Sequence, residues 1–419
     1  MAGHITKRKT KRANGSTRTV WRARYPDPTR GGTAQIERTF ETKREAEGWI
    51  KRQGANVLDG THVDPRRGER LLAEVADAWR ETWVDLEPKT RVGYEHVLRK
   101  HLIGTAEKPA RFHRAKVGAL SAEVVQRYMN DLSTTLAPKT VRNIYSILRS
   151  LLRVAVERRY IAANPCDAVR LPRRGSATNG IQPTRMLFLS PPEVRSLAEA
   201  MPADYRLPIY VAAYCGLRAG ELWALRRRDV DPLHGVLYVE RALKEINSSA
   251  EGIESGLFFG PTKTHASRKL RLPAFLVPML TDHLASASPG GNDPDDLLFA
   301  SRTGKPVRHN MFYKRVFRPT ITGDPDNPDP EKRREPALPT RLHGLRFHDL
   351  RHTAASLSLA VAPNLHVVKE RLGHEDIRTT INVYGHLLPS VDEALAEGLD
   401  ALHEKAATAD NVAPIRAAD

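Results

Sequence analysis

Cysteine is nearly missing from this chain: Cys166 and Cys215 are the only two in 419 residues. Far apart in sequence, they make neither a disulfide framework nor a zinc site, and a reducing cytoplasm is the expected setting. No stretch is long and apolar enough to span a bilayer, so no membrane association is expected. The N-terminus, MAGHITKRKTKR, has basic residues with no apolar segment behind them and does not read as a secretory signal. There is no Walker-type GxxxxGK(S/T) loop and no evident carboxylate cluster for magnesium. Those absences argue against ATP-driven chemistry and against two-metal nucleases and transposases, and no cofactor is expected. Acidic side chains are in deficit: 49 Asp and Glu against 66 Lys and Arg give a formal net charge of +17. The excess favours a polyanionic partner, nucleic acid or an acidic membrane surface. Charge alone does not choose between them, but a cytoplasmic setting points to nucleic acid.

What is present reads as two or three domains. Lys7, Arg8, Lys9, Lys11 and Arg12 form a basic arm. Residues 19–25 and 34–40 follow as short strands; in the first, Trp21, Ala23 and Tyr25 alternate with Arg22 and Arg24. Residues 42–53 read as a short helix, completing a small sheet-plus-helix module. Beyond a linker at 64–68, helical periodicity appears at 69–84, 89–102, 122–132 and 139–160. The last places Ile144, Ile147, Leu148, Leu151, Leu152 and Ala155 on one stripe, with Arg142, Arg149 and Arg153 largely off it. After a basic linker the remainder is mixed. Strand-like runs at 235–241 and 267–272 enclose a long loop among helical stretches, one of which, 205–226, is interrupted near Gly216 and Gly220. Residues 323–340, rich in Pro and Asp, read as a surface insertion or flexible loop. The fold class is therefore mainly α with small β-sheets (α+β), with a mixed, mostly helical last domain.

The densest chemical signal is RFHDLRHT at 346–353. On a helix, His348 and Arg351 project to the same face, so an imidazole and a guanidinium converge on one target. Arginine presents a fork that matches two phosphate oxygens. His348 and His352 also fit as satisfied residues capping a buried turn, and their spacing admits zinc, although no third ligand cluster accompanies them. His343 and Arg346 repeat the His-x-x-Arg spacing, but Gly344 and Pro339 place them poorly for a helix. A second cluster is GLRAGEL at 216–222, where Arg218 lies between two glycines that let backbone or ligand approach closely. Lys263 sits in the loop between the strand-like runs. His374 follows Leu372-Gly373, and Tyr384 comes ten residues later.

Taken in order, GLRAGEL, TKT, HDLRHT, LGH and TTINVYGH resemble the tyrosine recombinase (phage integrase) family over about residues 185–390. The resemblance implies Arg218 and Arg351 as an arginine clamp, Lys263 as the lysine of the β-hairpin, His348 and His374 at the two histidine positions, and Tyr384 as nucleophile. Glu221 matches the acidic position behind the first arginine and orients it. The resemblance further implies an arm-type DNA-binding module at 1–63 and a helical core-binding (SAM-like) domain at 66–165. A linker at 166–184, a catalytic domain at 185–400 and a tail at 401–419 complete it. Lys7, Arg8, Lys9, Lys11, Arg12, Arg22, Arg24, Arg142, Arg149 and Arg153 are the expected DNA contacts.

Such an enzyme would cut and rejoin double-stranded DNA at core and arm attachment sites through a 3′-phosphotyrosyl intermediate, integrating or excising a phage or other mobile element. It would act as a homotetramer on DNA, with a directionality factor or host DNA-bending protein as accessory partner. A catalytically inactive architectural or regulatory DNA-binding protein and a type IB topoisomerase-like enzyme are the rival expectations. Residues 388–407, with apolar side chains at helical spacing, fit packing either on a neighbouring protomer or on their own chain.

Overall fold

The structure, a computed structural model, describes residues 3–11, 17–28, 34–59, 62–171, 186–247, 254–263, 266–325, 327, 329–332, 334–385, 396 and 398–404. Arg12, most of the basic linker and most of the expected tail lie outside them. The described residues fall into two compact units, one ending at residue 171 and the other beginning at 186.

The first unit opens with an antiparallel sheet of β1 (His4–Lys11), β2 (Thr17–Pro26) and β3 (Gln35–Phe40), in that order. Ala23, Tyr25 and Ile36 point inward and meet Ala46 and Trp49 of α1 (Lys43–Leu58), which starts at a Thr42–Glu45 capping box. The expected basic arm is thus largely an edge strand, with Lys7 paired to Trp21. An edge strand over one covered face needs little apolar content, and here Ile5 supplies it. The charges of the remaining residues hide its period from the sequence.

The helical part of this unit comprises α2 (Leu72–Arg80), α3 (Pro88–Val97), α4 (Ala122–Ser133) and α5 (Pro138–Glu157). α2 stops short of the expected 69–84 because Thr82 turns its hydroxyl onto the Trp79 carbonyl, a local bond that competes with the helix ladder. The α5 stripe is buried as its spacing requires, each such side chain stabilising by about 1.5–3 kcal/mol. Cys166 is buried in the same core.

The second unit contains α6 (Pro191–Ala200), α7 (Ala203–Cys215), α8 (Ala219–Leu222), β4 (Val230–Asp231), β5 (Val236–Val239), β6 (Arg241–Ile246), β7 (Gly256–Pro261) and β8 (Arg268–Arg271). It continues through α9 (Leu276–Ala285), α10 (His309–Phe312), α11 (Arg318–Thr322), α12 (Asp349–Val361), α13 (Leu365–Leu372) and α14 (Ile377–Tyr384). β4, β5 and β8 form one sheet; β6 and β7 form a separate hairpin inside what the sequence showed only as a loop. The Pro/Asp-rich segment is pinned at its return: Arg334 donates to Val316 O and Thr320 Oγ1, and Ala337 N–H donates to Thr320 O. A main core around Trp223, Phe312, Phe317 and Phe347 is accompanied by a smaller cluster of Ala355, Leu359, Val368, Leu372 and Tyr384. That smaller cluster lies where α12, α13 and α14 meet. Among the described residues no helix is long and apolar enough to cross a membrane.

Candidate active site

α7 ends at Gly216, whose φ of 69° lies in the left-handed region. A Cβ there would fall 2.6 Å from Leu372 Cδ2, so the end of α7 meets the end of α13 through a glycine. Two residues on, Arg218 caps α8. Its backbone N–H donates to Glu221 Oε2 (3.0 Å) and its Nη1 to Glu221 Oε1 (2.7 Å). Arg268, at the start of β8, donates from Nη2 to Oε2 of the same carboxylate (2.7 Å). Glu221 is 1% exposed. Burial alone would raise its pKa; the hydrogen bond and charge of Arg268, joined by those of Arg218, overcome that and hold it at about 2.

The last carbonyls of α13 collect three arginines from three different elements. Arg268 Nε donates to Arg371 O (3.1 Å), Arg351 Nη2 to Leu372 O (2.6 Å) and Arg218 Nη2 to Gly373 O (3.2 Å). A helix C-terminus leaves carbonyls without intrahelical partners and carries the negative end of the dipole, so cations settle there. Arg351 also donates from Nη1 to Gly216 O (2.6 Å), joining the ends of α7 and α13. It is 2% exposed; burial, then the charge of Arg218, lowers its pKa to about 9, which leaves it charged at neutral pH.

His374 follows the left-handed Gly373 and bonds through Nδ1 to Thr380 Oγ1 (2.9 Å). Burial and the nearby Arg351 and Arg218 lower its pKa to about 4, so the ring is neutral. With Thr380 donating, Nε2 carries the proton and is free to serve an anionic oxygen. Tyr384, the last residue of α14, is 1% exposed, and burial pushes its phenol up to about 12. Its ring lies parallel to that of His374 at 6.4 Å, and its Oη is 2.7 Å from His352 Nδ1. His348, at the entrance to α12, is exposed; its ring meets that of His352 edge-on at 5.0 Å. Burial by surrounding atoms, then His352 and Arg351, lowers its pKa.

The structure therefore gathers Arg218, Glu221 and Arg351 around the end of α13, with His374 next in the chain and Tyr384 beside it. Lys263 is exposed on the turn between β7 and β8, outside that group. His343 is turned away and bonds Leu338 O, while Arg346 holds the buried carboxylate of Asp349. Two residues escaped the sequence reading. Arg268 shares strand parity with the inward Leu270 and so points at the core, a signal that it needs a buried counter-charge. His352 was visible only as a spacing partner of His348. Among the described residues, no three His, Cys, Asp or Glu side chains are placed to hold a metal ion.

Of the DNA contacts expected in the first unit, Arg22 lies 3.3 Å from Glu37, and Arg149 pairs with Asp167 at 2.8 Å. Arg24 approaches the same Glu37 at 4.0 Å, and Arg153 reaches Glu157 at 3.6 Å. Lys7 lies over the Trp21 ring at 6.0 Å.

Glu221→Gln should destabilise the second unit by about 3–5 kcal/mol at neutral pH, because two arginines lose their buried counter-charge. A carboxylate whose pKa falls from 4.5 to about 2 on folding stabilises above 4.5 and loses that effect as pH drops toward 2. The deficit, read by urea denaturation, should therefore shrink in acid; a constant deficit from pH 7 to pH 3 would contradict this origin.

Residues 188–390 match the model of the phage integrase family. Over 399 residues the chain is 28% identical to the prophage phiRv2 integrase of Mycobacterium tuberculosis, covering 92% of this chain and 93% of that one. It is 26% identical over 385 residues to a tyrosine recombinase XerC-like protein of Caldanaerobacter subterraneus, covering 86% and 90% respectively. Among solved structures it resembles the Tn1549 transposon integrase in complex with a circular intermediate DNA, with a TM-score of 0.60 and 19% identity. That likeness spans 79% of this chain and 99% of the other.

Proposed function

Because residues 188–390 place the chain in the phage integrase family of tyrosine recombinases, we propose that it cuts and rejoins DNA through Tyr384 to integrate or excise a phage or other mobile element. The observation that carries this reading is the convergence of Arg218, Arg351 and His374 on the end of α13, with Tyr384 packed against the same turn.

Attack on a phosphodiester moves charge onto the non-bridging oxygens, where two arginines held rigidly by carbonyls stabilise it without reorganising. Neutral His374 donates to one of those oxygens. His348, neutral and exposed at the entrance to α12, moves protons to and from solvent in this reading. Lys263, exposed on its turn, protonates the leaving deoxyribose oxygen. The phosphotyrosine keeps the energy of the broken bond, so rejoining needs no nucleotide.

In this proposal the sheet-plus-helix part, 1–63, binds arm-type sites and the helical part, 66–165, binds core sites. The ion pairs of Arg22, Arg149 and Arg153 would exchange their carboxylates for phosphates on binding. Four strand cuts call for a homotetramer on DNA, with a directionality factor or DNA-bending protein setting the direction.

The test is trapping on nicked suicide substrates made from element-end DNA, in EDTA and without ATP. A covalent protein–DNA adduct mapping to one position is expected. Tight, specific binding with no adduct on any substrate would favour an inactive architectural protein. Adducts at many unrelated positions, with plasmid relaxation, would favour a topoisomerase.

A further inference from the structure

Resting on the assignment of Tyr384 as nucleophile, we propose that His352, rather than His348, takes the phenolic proton when Tyr384 attacks. The geometry is direct. His352 Nδ1 lies 2.7 Å from Tyr384 Oη, the reacting atom, and the two residues are fixed by α12 and α14 respectively. His348 contacts His352 instead, ring against ring.

The phenol, raised to about 12, keeps its proton; with that proton donated to His352, Nδ1 is the acceptor and Nε2 carries the ring hydrogen. Nε2 lies 4.0 Å from Oδ1 of Asp349, a carboxylate that is 0% exposed. At that distance the two are not hydrogen-bonded, but a buried negative charge favours an imidazolium formed beside it. Asp349 is itself held by Arg346 through Nε (3.1 Å) and Nη2 (2.7 Å). The order tyrosine, histidine, aspartate is that of a nucleophile, its base and the group that stabilises the charged base.

Other groups oppose a charged ring. Arg346 and Arg351 lower the pKa of His352 after burial does, and His348 and His374 are its remaining titratable neighbours. The ring is therefore neutral before reaction, the state a proton acceptor requires.

In the step itself the Oη–H bond breaks and its proton passes to His352 Nδ1. The Oη–phosphorus bond forms as the bond from phosphorus to the 5′ oxygen breaks, and that oxygen is protonated separately by Lys263. In rejoining, His352 returns the proton to the departing tyrosine.

The full-length chain on a suicide substrate tests this. His352→Asn and His352→Gln, which keep an acceptor near Oη but cannot take a proton, should slow adduct formation by about 10²- to 10³-fold. Installing 3,5-difluorotyrosine at position 384, whose phenol ionises more readily, should recover at least tenfold of that loss. The same replacement should help His348→Asn far less. A substrate with sulfur in place of the 5′-bridging oxygen needs no acid, and should rescue Lys263→Ala but neither His352 variant. Rates within threefold of wild type, faster reaction in either variant (the mark of a resting lock), or failure of fluorotyrosine to rescue both would overturn the proposal. An adduct formed by Tyr384→Phe would overturn the nucleophile assignment, and this inference with it.

Discussion

Tyr384→Phe should bind its DNA sites as the wild type does and form no covalent adduct at all. The substitution removes one oxygen from a side chain that is 1% exposed and leaves the ring in its packing among Ala355, Leu359, Val368 and Leu372. Among the described residues the hydrogen bond lost is that to His352, at a stability cost of about 1 kcal/mol. The ring is buried, so filter retention or gel shift should change by less than about threefold, a shift below 1 kcal/mol. Adduct formation should fall below detection, because the substitution removes the assigned attacking oxygen. An adduct of wild-type mobility on a denaturing gel would reassign the nucleophile.

Arg351→Ala carries the second large effect, with two parts that can be separated. Chemically, loss of one of two charge-stabilising forks should slow adduct formation by about 10³-fold or more. Structurally, it leaves Gly216 O and Leu372 O without their donor and opens a void where a 2%-exposed side chain stood. That should cost about 2–4 kcal/mol. Arg351→Lys keeps the charge but cannot reach two carbonyls at once, and should recover part of the stability with little of the rate. Arg346→Ala is the contrast. It strips Asp349 of its partner and should lower stability while slowing the reaction far less than Arg351→Ala. If its rate falls as far, then the His-x-x-Arg pair that includes Arg346 deserves the role given to Arg351.

Much of this was legible beforehand. α5 announced itself because its apolar residues recur at helical spacing over five turns, and burial follows that period residue by residue. The break in α7 was legible from Gly216, since few other residues adopt its φ. β1 was not, because a basic edge strand has almost no apolar period, and the β6–β7 hairpin hid behind Lys244, Glu245 and glycines. Within the site, the order of motifs picked out Arg218, Arg351, His374 and Tyr384, but no spacing rule reports that an arginine on β8 shares a carboxylate with one 50 residues earlier. His352 was equally hidden: its value comes from α14 crossing α12, which is a tertiary fact.

The three arginines on Arg371 O, Leu372 O and Gly373 O make the end of α13 a counted position. Removing or inserting one residue within α13 would rotate everything beyond it by about 100° and shift it by about 1.5 Å. All three carbonyls would then miss their donors together. Substitutions on the outward face of α13 leave that count intact. Length changes therefore have no mild version here, and a library that varies this helix for altered site preference should hold its residue number fixed.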